Sequence, residues 1–298
     1  MPAMKASSNI SEETFSFYMT GLDGQSYLDF GTPNPSLMDG DPIYIDIQDE
    51  NLWWTEQLVG FRWSAEFDAD QIEYEITSAT DAITDTGSSC IVGPSGEIDY
   101  IKNTILNVIA ETTTVETHAG WDYLFECPST LDGLPSFEML YGGYWFEVLP
   151  EDYLIDVSLA SDGSVCALCL TSIDGFYEWI LGDVFMRGYY NIHKHETLQM
   201  GFVPFPGSNK SLPYLATSTP SETMPGVTVN AITDILGVDA AAFLVIIGIA
   251  AAVTALTLVV IIYCLEAVYG TKQTTKSKKA VASSDGQNDS AISLIYLQ

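Results

Sequence analysis

One stretch of this chain fixes how the rest can be arranged. Residues 240–265, AAAFLVIIGIAAAVTALTLVVIIYCL, contain neither a charged residue nor a proline. At about 1.5 Å per helical residue the run exceeds the roughly 30 Å of a bilayer's hydrocarbon core, whereas a buried core helix needs an apolar stretch nearer 10–14 residues. A single transmembrane helix is expected there. Of the 40 acidic residues all but Glu266, Asp285 and Asp289 precede it, as do all of the 10 Lys and Arg except Lys272, Lys276, Lys278 and Lys279. Lysines that follow the span place residues 266–298 in the cytoplasm, and the large acidic part in a lumen or outside the cell. A formal net charge of −30 also excludes nucleic acid as a partner, because affinity for phosphate backbones comes largely from cations that displace counterions.

The N-terminus, MPAMKASSNISEETF, has no apolar run of signal-peptide length. Targeting then rests either on the span acting as a reverse anchor or on sequence upstream of Met1. Asn9-Ile10-Ser11 and Asn209-Lys210-Ser211 are sequons compatible with glycosylation, although a third, Asn288-Asp289-Ser290, falls in the expected cytoplasmic tail and shows how readily the pattern arises by chance. Cys264 lies inside the span. Cys90, Cys127, Cys166 and Cys169 allow up to two disulfides in an oxidising compartment, with a connectivity that sequence alone does not fix. Cys166-x-x-Cys169 has no second close Cys or His pair to complete a zinc site, so structural disulfides are the better reading. His193 and His195 are two apart, on one face if the segment is a strand, and no metal site or cofactor is expected from them.

Residues 1–239 read as mostly β. Phe61, Trp63, Ala65 and Phe67 alternate with Arg62, Ser64, Glu66 and Asp68, and Ile43, Ile45 and Ile47 alternate with Tyr44 and Asp46. Further strands are expected over residues 72–76, 144–149 and 153–159. One surface helix breaks the pattern, with Ile98, Ile101, Ile105, Val108 and Ile109 at helical spacing, Ser95 as the cap, and Glu97 and Asp99 early where the helix dipole favours anions. Residues 206–239 begin with PGSNKSLPYLATSTPSETMP and read as a Pro/Ser/Thr-rich stalk.

The chemistry is expected at Asp85-Thr86-Gly87-Ser88. An apolar strand delivers one carboxylate onto a turn, Gly87 lets the backbone bend closely around it, and the hydroxyls of Thr86 and Ser88 can orient it. The same residue types are also the commonest turn formers, so the motif alone is a modest sign of catalysis.

Its surroundings sharpen the reading, because several segments resemble the C-terminal lobe of the pepsin-like aspartic proteases. Phe15-Ser16-Phe17-Tyr18 resembles the segment that enters that lobe. AITDTGSSCIVGP, residues 82–94, resembles the second catalytic-aspartate loop, and Leu134-Pro135-Ser136-Phe137-Glu138-Met139 resembles the strand that follows a cysteine, here Cys127. The most specific match is WILGDVFMRGYY, residues 179–190, closing with Met200-Gly201-Phe202-Val203-Pro204. The resemblance implies one lobe of a bilobal enzyme over residues 15–205, preceded by a lead-in over residues 1–14. It further implies that Ile180, Leu181 and Gly182 brace the catalytic loop, that Cys127 pairs with Cys166, and that Asp85 is one of two aspartates sharing a proton and a water. Cys90 and Cys169 have no counterpart, and Asp183 is expected to be a helix cap.

Departures bear on function. The sequence holds no second Asp-[Thr/Ser]-Gly, and no first lobe or substrate-covering hairpin precedes Phe15. Where the family has an apolar-Phe-Asp triplet after its paired tyrosines, this chain has Ile192-His193-Lys194. The favoured expectation is a membrane-anchored aspartic-type endopeptidase acting on polypeptides, with its N-terminal lobe missing from this sequence. Two alternatives stand beside it: a second copy of the chain supplying the other aspartate across a two-fold axis, and a catalytically inactive luminal binding module. The intact Asp85 loop argues against the last.

Overall fold

Among the described residues, short apolar segments separated by Gly, Pro, Asp and Ser become short strands gathered into three sheets. The computed structural model describes residues 2–20, 24–48, 53–77, 80–111, 113–118, 121–158, 165–173, 178–225 and 227. The chain divides into two units, Met1–Val229 and Asn230–Gln298. The second unit, with the expected span over residues 240–265 and tail over residues 266–298, lies outside the described residues. Among the described residues no helix is long and apolar enough to cross a membrane.

Five antiparallel strands form the first sheet, in the order Tyr27–Phe30, Thr14–Tyr18, Tyr189–Lys194, Gln199–Pro204 and Ile43–Asp46. Strictly alternating burial along Tyr189–Lys194 is absent, because five of its six residues are buried and the sheet is covered on both faces. The largest sheet has Thr55–Trp63 near its middle, paired with Asp81–Thr84 on one side and Phe137–Tyr141 on the other. Thr114–His118, Trp121–Phe125, Val165–Leu168 and Leu154–Asp156 make the third sheet. The main core has Leu58, Phe61, Phe146, Trp179 and Phe185 fully buried, and a second, smaller cluster of Tyr190, Ile192 and Val203 lies on the first sheet.

The helix runs over Ser95–Ile109 and buries Ile98, Ile101, Ile105 and Ile109 while Asp99 stays exposed. Its cap differs from expectation. Pro94 occupies that position and its carbonyl accepts the Ile98 N–H at 3.1 Å, so Ser95 is the first helical residue and the cap has no side-chain hydrogen bond. A cap must supply a carbonyl, which proline can do without its missing N–H.

Three expected strands are shorter than the alternation suggested. Thr55–Trp63 ends at Trp63, and Phe67 is exposed. The reason is local chemistry: the Ser64 carbonyl accepts N–H groups from Phe67 and Asp68, and the Asp68 carboxylate accepts those of Asp70 and Ile72, giving the chain a turn instead of a ladder. Of residues 72–76 only Tyr74–Glu75 pair as strand. Pro150–Tyr153 is a helical turn because Pro150 suits its first position and the Asp152 carboxylate accepts the Leu149 N–H at 2.8 Å, so the strand starts at Leu154 and ends at Asp156.

The stalk expected from residue 206 is corrected more deeply, because residues 206–225 are part of the folded unit. Tyr214–Leu215 pairs with Tyr144–Val148, and Glu222–Thr223 pairs with Tyr74–Glu75. Pro213, Pro220 and Met224 are buried. The main anchor is Lys210, whose ammonium is buried 3.1 Å from an Asp152 carboxylate oxygen, donates to the Phe185 carbonyl at 3.1 Å, and lies 4.7 Å from the Tyr189 ring centre. Burial lowers the Lys210 pKa and raises that of Asp152, and each charge pulls its partner back toward ionisation. Composition hides such an anchor, because a buried ion pair needs only one residue in a polar segment.

This geometry predicts that Asp152→Ala, which leaves the Lys210 charge buried without its counter-ion, costs about 3 to 5 kcal/mol of unfolding free energy. The double replacement Asp152→Leu with Lys210→Met should recover most of the loss. Urea unfolding of the two variants is the check; a cost below about 1 kcal/mol for Asp152→Ala would show that the segment is not anchored there.

Candidate active site

The strand Asp81–Thr84 is central because Thr55–Trp63 pairs antiparallel on one side and Trp179–Leu181 pairs parallel on the other. Thr84 is held by three contacts to two residues. Its N–H and its hydroxyl both point to the Trp54 carbonyl, at 3.1 and 3.4 Å, and the hydroxyl also meets the Met200 sulfur at 3.1 Å. Asp85 follows directly, at the point where the strand gives way to a turn.

That turn closes on the aspartate itself. The Ser88 N–H donates to the Asp85 carbonyl at 3.2 Å, the Gly87 N–H donates to Asp85 Oδ1 at 2.9 Å, and the Ser88 hydroxyl donates to Oδ2 at 2.8 Å. Each carboxylate oxygen therefore has a donor that fixes its direction. Asp85 is half-buried while Thr86 and Gly87 are exposed, so the carboxylate is ordered yet reachable from solvent. Ser88 makes the hydroxyl contact; Thr86, expected to share it, sits on the exposed side of the turn.

Ile180, Leu181 and Gly182 lie directly beside this loop. Trp179–Leu181 runs between Asp81–Thr84 and Ile91–Gly93, the strands that enter and leave the turn. The Leu181 carbonyl accepts the Asp85 N–H at 3.1 Å, and the Ser88 and Ser89 carbonyls accept the N–H groups of Asp183 and Val184 at 2.9 and 3.0 Å. This approach is close enough to require glycine: a Cβ on Gly182 would stand 2.3 Å from the Ser88 oxygen and 2.6 Å from that of Cys90. Gly182 caps the short helix Asp183–Met186, and Asp183, expected as the cap, is its first residue. Burial lifts the Asp183 carboxyl above the ordinary value, Arg187 pulls it down, and the nearby Asp85 charge lifts it further.

Both cysteine pairs are formed, Cys127 with Cys166 and Cys90 with Cys169. The second bond, which the sequence left unassigned, ties the exit of the Asp85 turn to the strand Leu170–Ser172, and the Cys169 carbonyl accepts the Ile91 N–H at 3.2 Å. Cys166 and Cys169 each bond elsewhere, so Cys-x-x-Cys is not a redox pair here. His193 is buried and His195 is exposed beside Glu13 Oε2 at 3.2 Å, so the two do not face one site. Among the described residues no group of three His, Cys, Asp or Glu is arranged to hold a metal.

Residues 1–205 match the model of the eukaryotic aspartyl protease family, and the chain belongs to that family. It is 30% identical to gastricsin of Oryctolagus cuniculus over 205 residues, which cover 68% of this chain and 49% of gastricsin. Cathepsin E of Aquarana catesbeiana is 30% identical over 160 residues, covering 51% of this chain and 37% of that protein. Cathepsin D of Rattus norvegicus is 28% identical over 209 residues, covering 65% and 45%. The chain thus spans about half the length, or less, of these curated relatives. The family match stops at residue 205, so residues 206–225, a strap anchored by Lys210, lie beyond it.

Proposed function

We propose that this chain supplies one catalytic aspartate, Asp85, of an aspartic-type endopeptidase acting on polypeptides. The observation that carries the reading is the pair of donors, Gly87 N–H and Ser88 hydroxyl, that holds both oxygens of a solvent-reachable carboxylate at the end of a braced strand. Hydrolysis of a peptide by water needs a base to take the water's proton and an acid to polarise the carbonyl. Two carboxylates at hydrogen-bond distance divide these roles because they do not both ionise easily. The sequence has one Asp-Thr-Gly, and in this reading the second carboxylate is supplied by a further lobe, or by a second copy of the chain, that faces the Asp85 loop. In that arrangement Asp85 holds the attacking water, and the donors beneath keep its lone pairs aimed at it.

In the complete enzyme Asp85→Asn is expected to lower kcat by about 100- to 10,000-fold with little change in thermal unfolding, since the amide keeps the shape and loses the proton chemistry. Peptide hydrolysis at acid pH measures the first quantity and calorimetry the second. Unchanged kcat would remove Asp85 from the reaction.

The membrane reading is carried by the uncharged run over residues 240–265 and the lysines after it, and two disulfides suit the oxidising side of that membrane. Cysteines placed at Ser218 and at Ser277 in sealed vesicles should react with an impermeant thiol reagent from opposite sides. Reaction of both from one side contradicts a single span.

A further inference from the structure

His193 occupies a position that the proposed chemistry leaves unused, and its surroundings are unusual for a titratable ring. It is 3% exposed and lies within the first sheet, in register with Phe15 on one neighbour and Met200 on the other. Phe15 stacks on it with ring centres 4.7 Å apart and planes 9° from parallel. Trp54 meets it edge-on at 4.8 Å and Phe17 at 5.7 Å. Its Nδ1 has no hydrogen-bond partner. A neutral imidazole fits such a cage as a flat, weakly polar ring, whereas an imidazolium carries two N–H donors and a charge that burial penalises.

The same cage touches the support of the Asp85 loop at two points. Trp54 supplies the carbonyl that accepts both the N–H and the hydroxyl of Thr84, the residue before Asp85. Met200, opposite His193 in the ladder, places its sulfur 3.1 Å from the same Thr84 hydroxyl. A shift of the His193 ring therefore reaches Thr84 through one intervening residue on either route, and Asp85 follows Thr84 directly.

We propose that His193 is a positioning residue for the Asp85 loop that serves only as the neutral ring, so that protonating it sets the acid limit of the working site. The inference rests on the function proposed above for Asp85. The groups around the ring support it. The strand Thr14–Tyr18 presents Phe15 and Phe17, the strand Gln199–Pro204 presents Met200, and the segment before Thr55 presents Trp54. The charges next along the chain are engaged elsewhere: Glu13 with His195, and Lys194 with the face of Tyr44 at 3.9 Å. Burial lowers the His193 pKa to about 4 from 6.5, and a hydrogen bond with the Asn191 main chain pulls it upward. The face of Phe15 also favours a cation, but desolvation outweighs it.

The sign follows from that depression. Because the unfolded ring titrates near 6.5 and the folded one near 4, the stabilisation is complete above pH 6.5 and is lost as pH falls toward 4. The folding equilibrium should lose about 300-fold through this group alone.

Two measurements on the full chain test this without relying on peptidase activity. The pH dependence of deuterium uptake at the His193 ring C2 position should give a midpoint well below 6.5; a midpoint near 6.5 overturns the proposal. Protection of the Thr84 amide from hydrogen exchange, normalised to the intrinsic rate, should collapse near pH 4 in the wild type and persist to lower pH in His193→Phe, which keeps the ring and removes the proton site. The same collapse in both proteins reduces His193 to packing and overturns the proposal. Because neither measurement needs substrate, such a failure is distinct from a failure of Asp85 as a catalytic group, which the kinetics of Asp85→Asn reports. In the complete enzyme His193→Phe should also extend the acid limb of kcat.

Discussion

The site depends on one strand being wedged between the two sides of a turn. Trp179–Leu181 pairs parallel with the strand that enters the Asp85 turn and antiparallel with the strand that leaves it. A turn on its own costs conformational entropy at every residue and wanders. Here the Asp85 N–H and the Ser88 and Ser89 carbonyls are bonded to the wedge and the start of its following helix, and the Cys90–Cys169 bond closes the exit. The carboxylate is then oriented by two donors of its own turn. Precision at Asp85 is thus inherited from sheet pairing, and a single absent Cβ at Gly182 permits the approach.

Scarcity of cations governs the rest of the fold. Residues 1–239 contain only Lys5, Arg62, Lys102, Arg187, Lys194 and Lys210 as Lys or Arg, and most are used within the structure. Arg62 joins Glu138 at 2.5 Å and Glu73 at 2.9 Å, Lys102 joins Asp122 at 2.8 Å, and Lys5 joins Glu196. Lys210 is the most buried and fastens the strap to the unit. Arg62 also donates to the Tyr214 hydroxyl of that strap and lies 4.3 Å from the Trp145 ring centre. Both basic groups therefore tie residues 206–225 to the strands they cover. Among the described carboxylates outside these ion pairs, all but the buried Glu97 are partly or fully exposed, and lower pH relieves their self-repulsion.

How much of this was legible in the sequence follows from the range of each interaction. The mostly β character, the helix over residues 95–109 and the placement of Asp85 at a strand end were readable because alternation, helical spacing and turn residues are local. The pairing of Cys90 with Cys169, the strap and the cage around His193 were not, because each joins residues far apart in sequence within stretches of ordinary composition. Strand ends failed for a third reason: Asp68 and Asp152 capture backbone N–H groups with their side chains and stop a ladder that apolar alternation alone would continue. A usable signal was present for the strap. In a segment otherwise short of cations, an isolated Lys210 was a candidate for a structural ion pair.

The wedge is tested most directly by adding the missing methyl group at its tightest point. Gly182→Ala in the enzyme proposed above should lower the urea-derived unfolding free energy by about 1 to 3 kcal/mol, because the new Cβ collides with backbone oxygens that belong to the Asp85 turn. It should also lower kcat by about tenfold or more, with a smaller change in KM, since a displaced carboxylate weakens the chemical step more than binding. An unfolding free energy within about 0.5 kcal/mol of the wild type, with kcat unaltered, would contradict the account, because the turn would then owe neither its place nor its chemistry to the strand behind it.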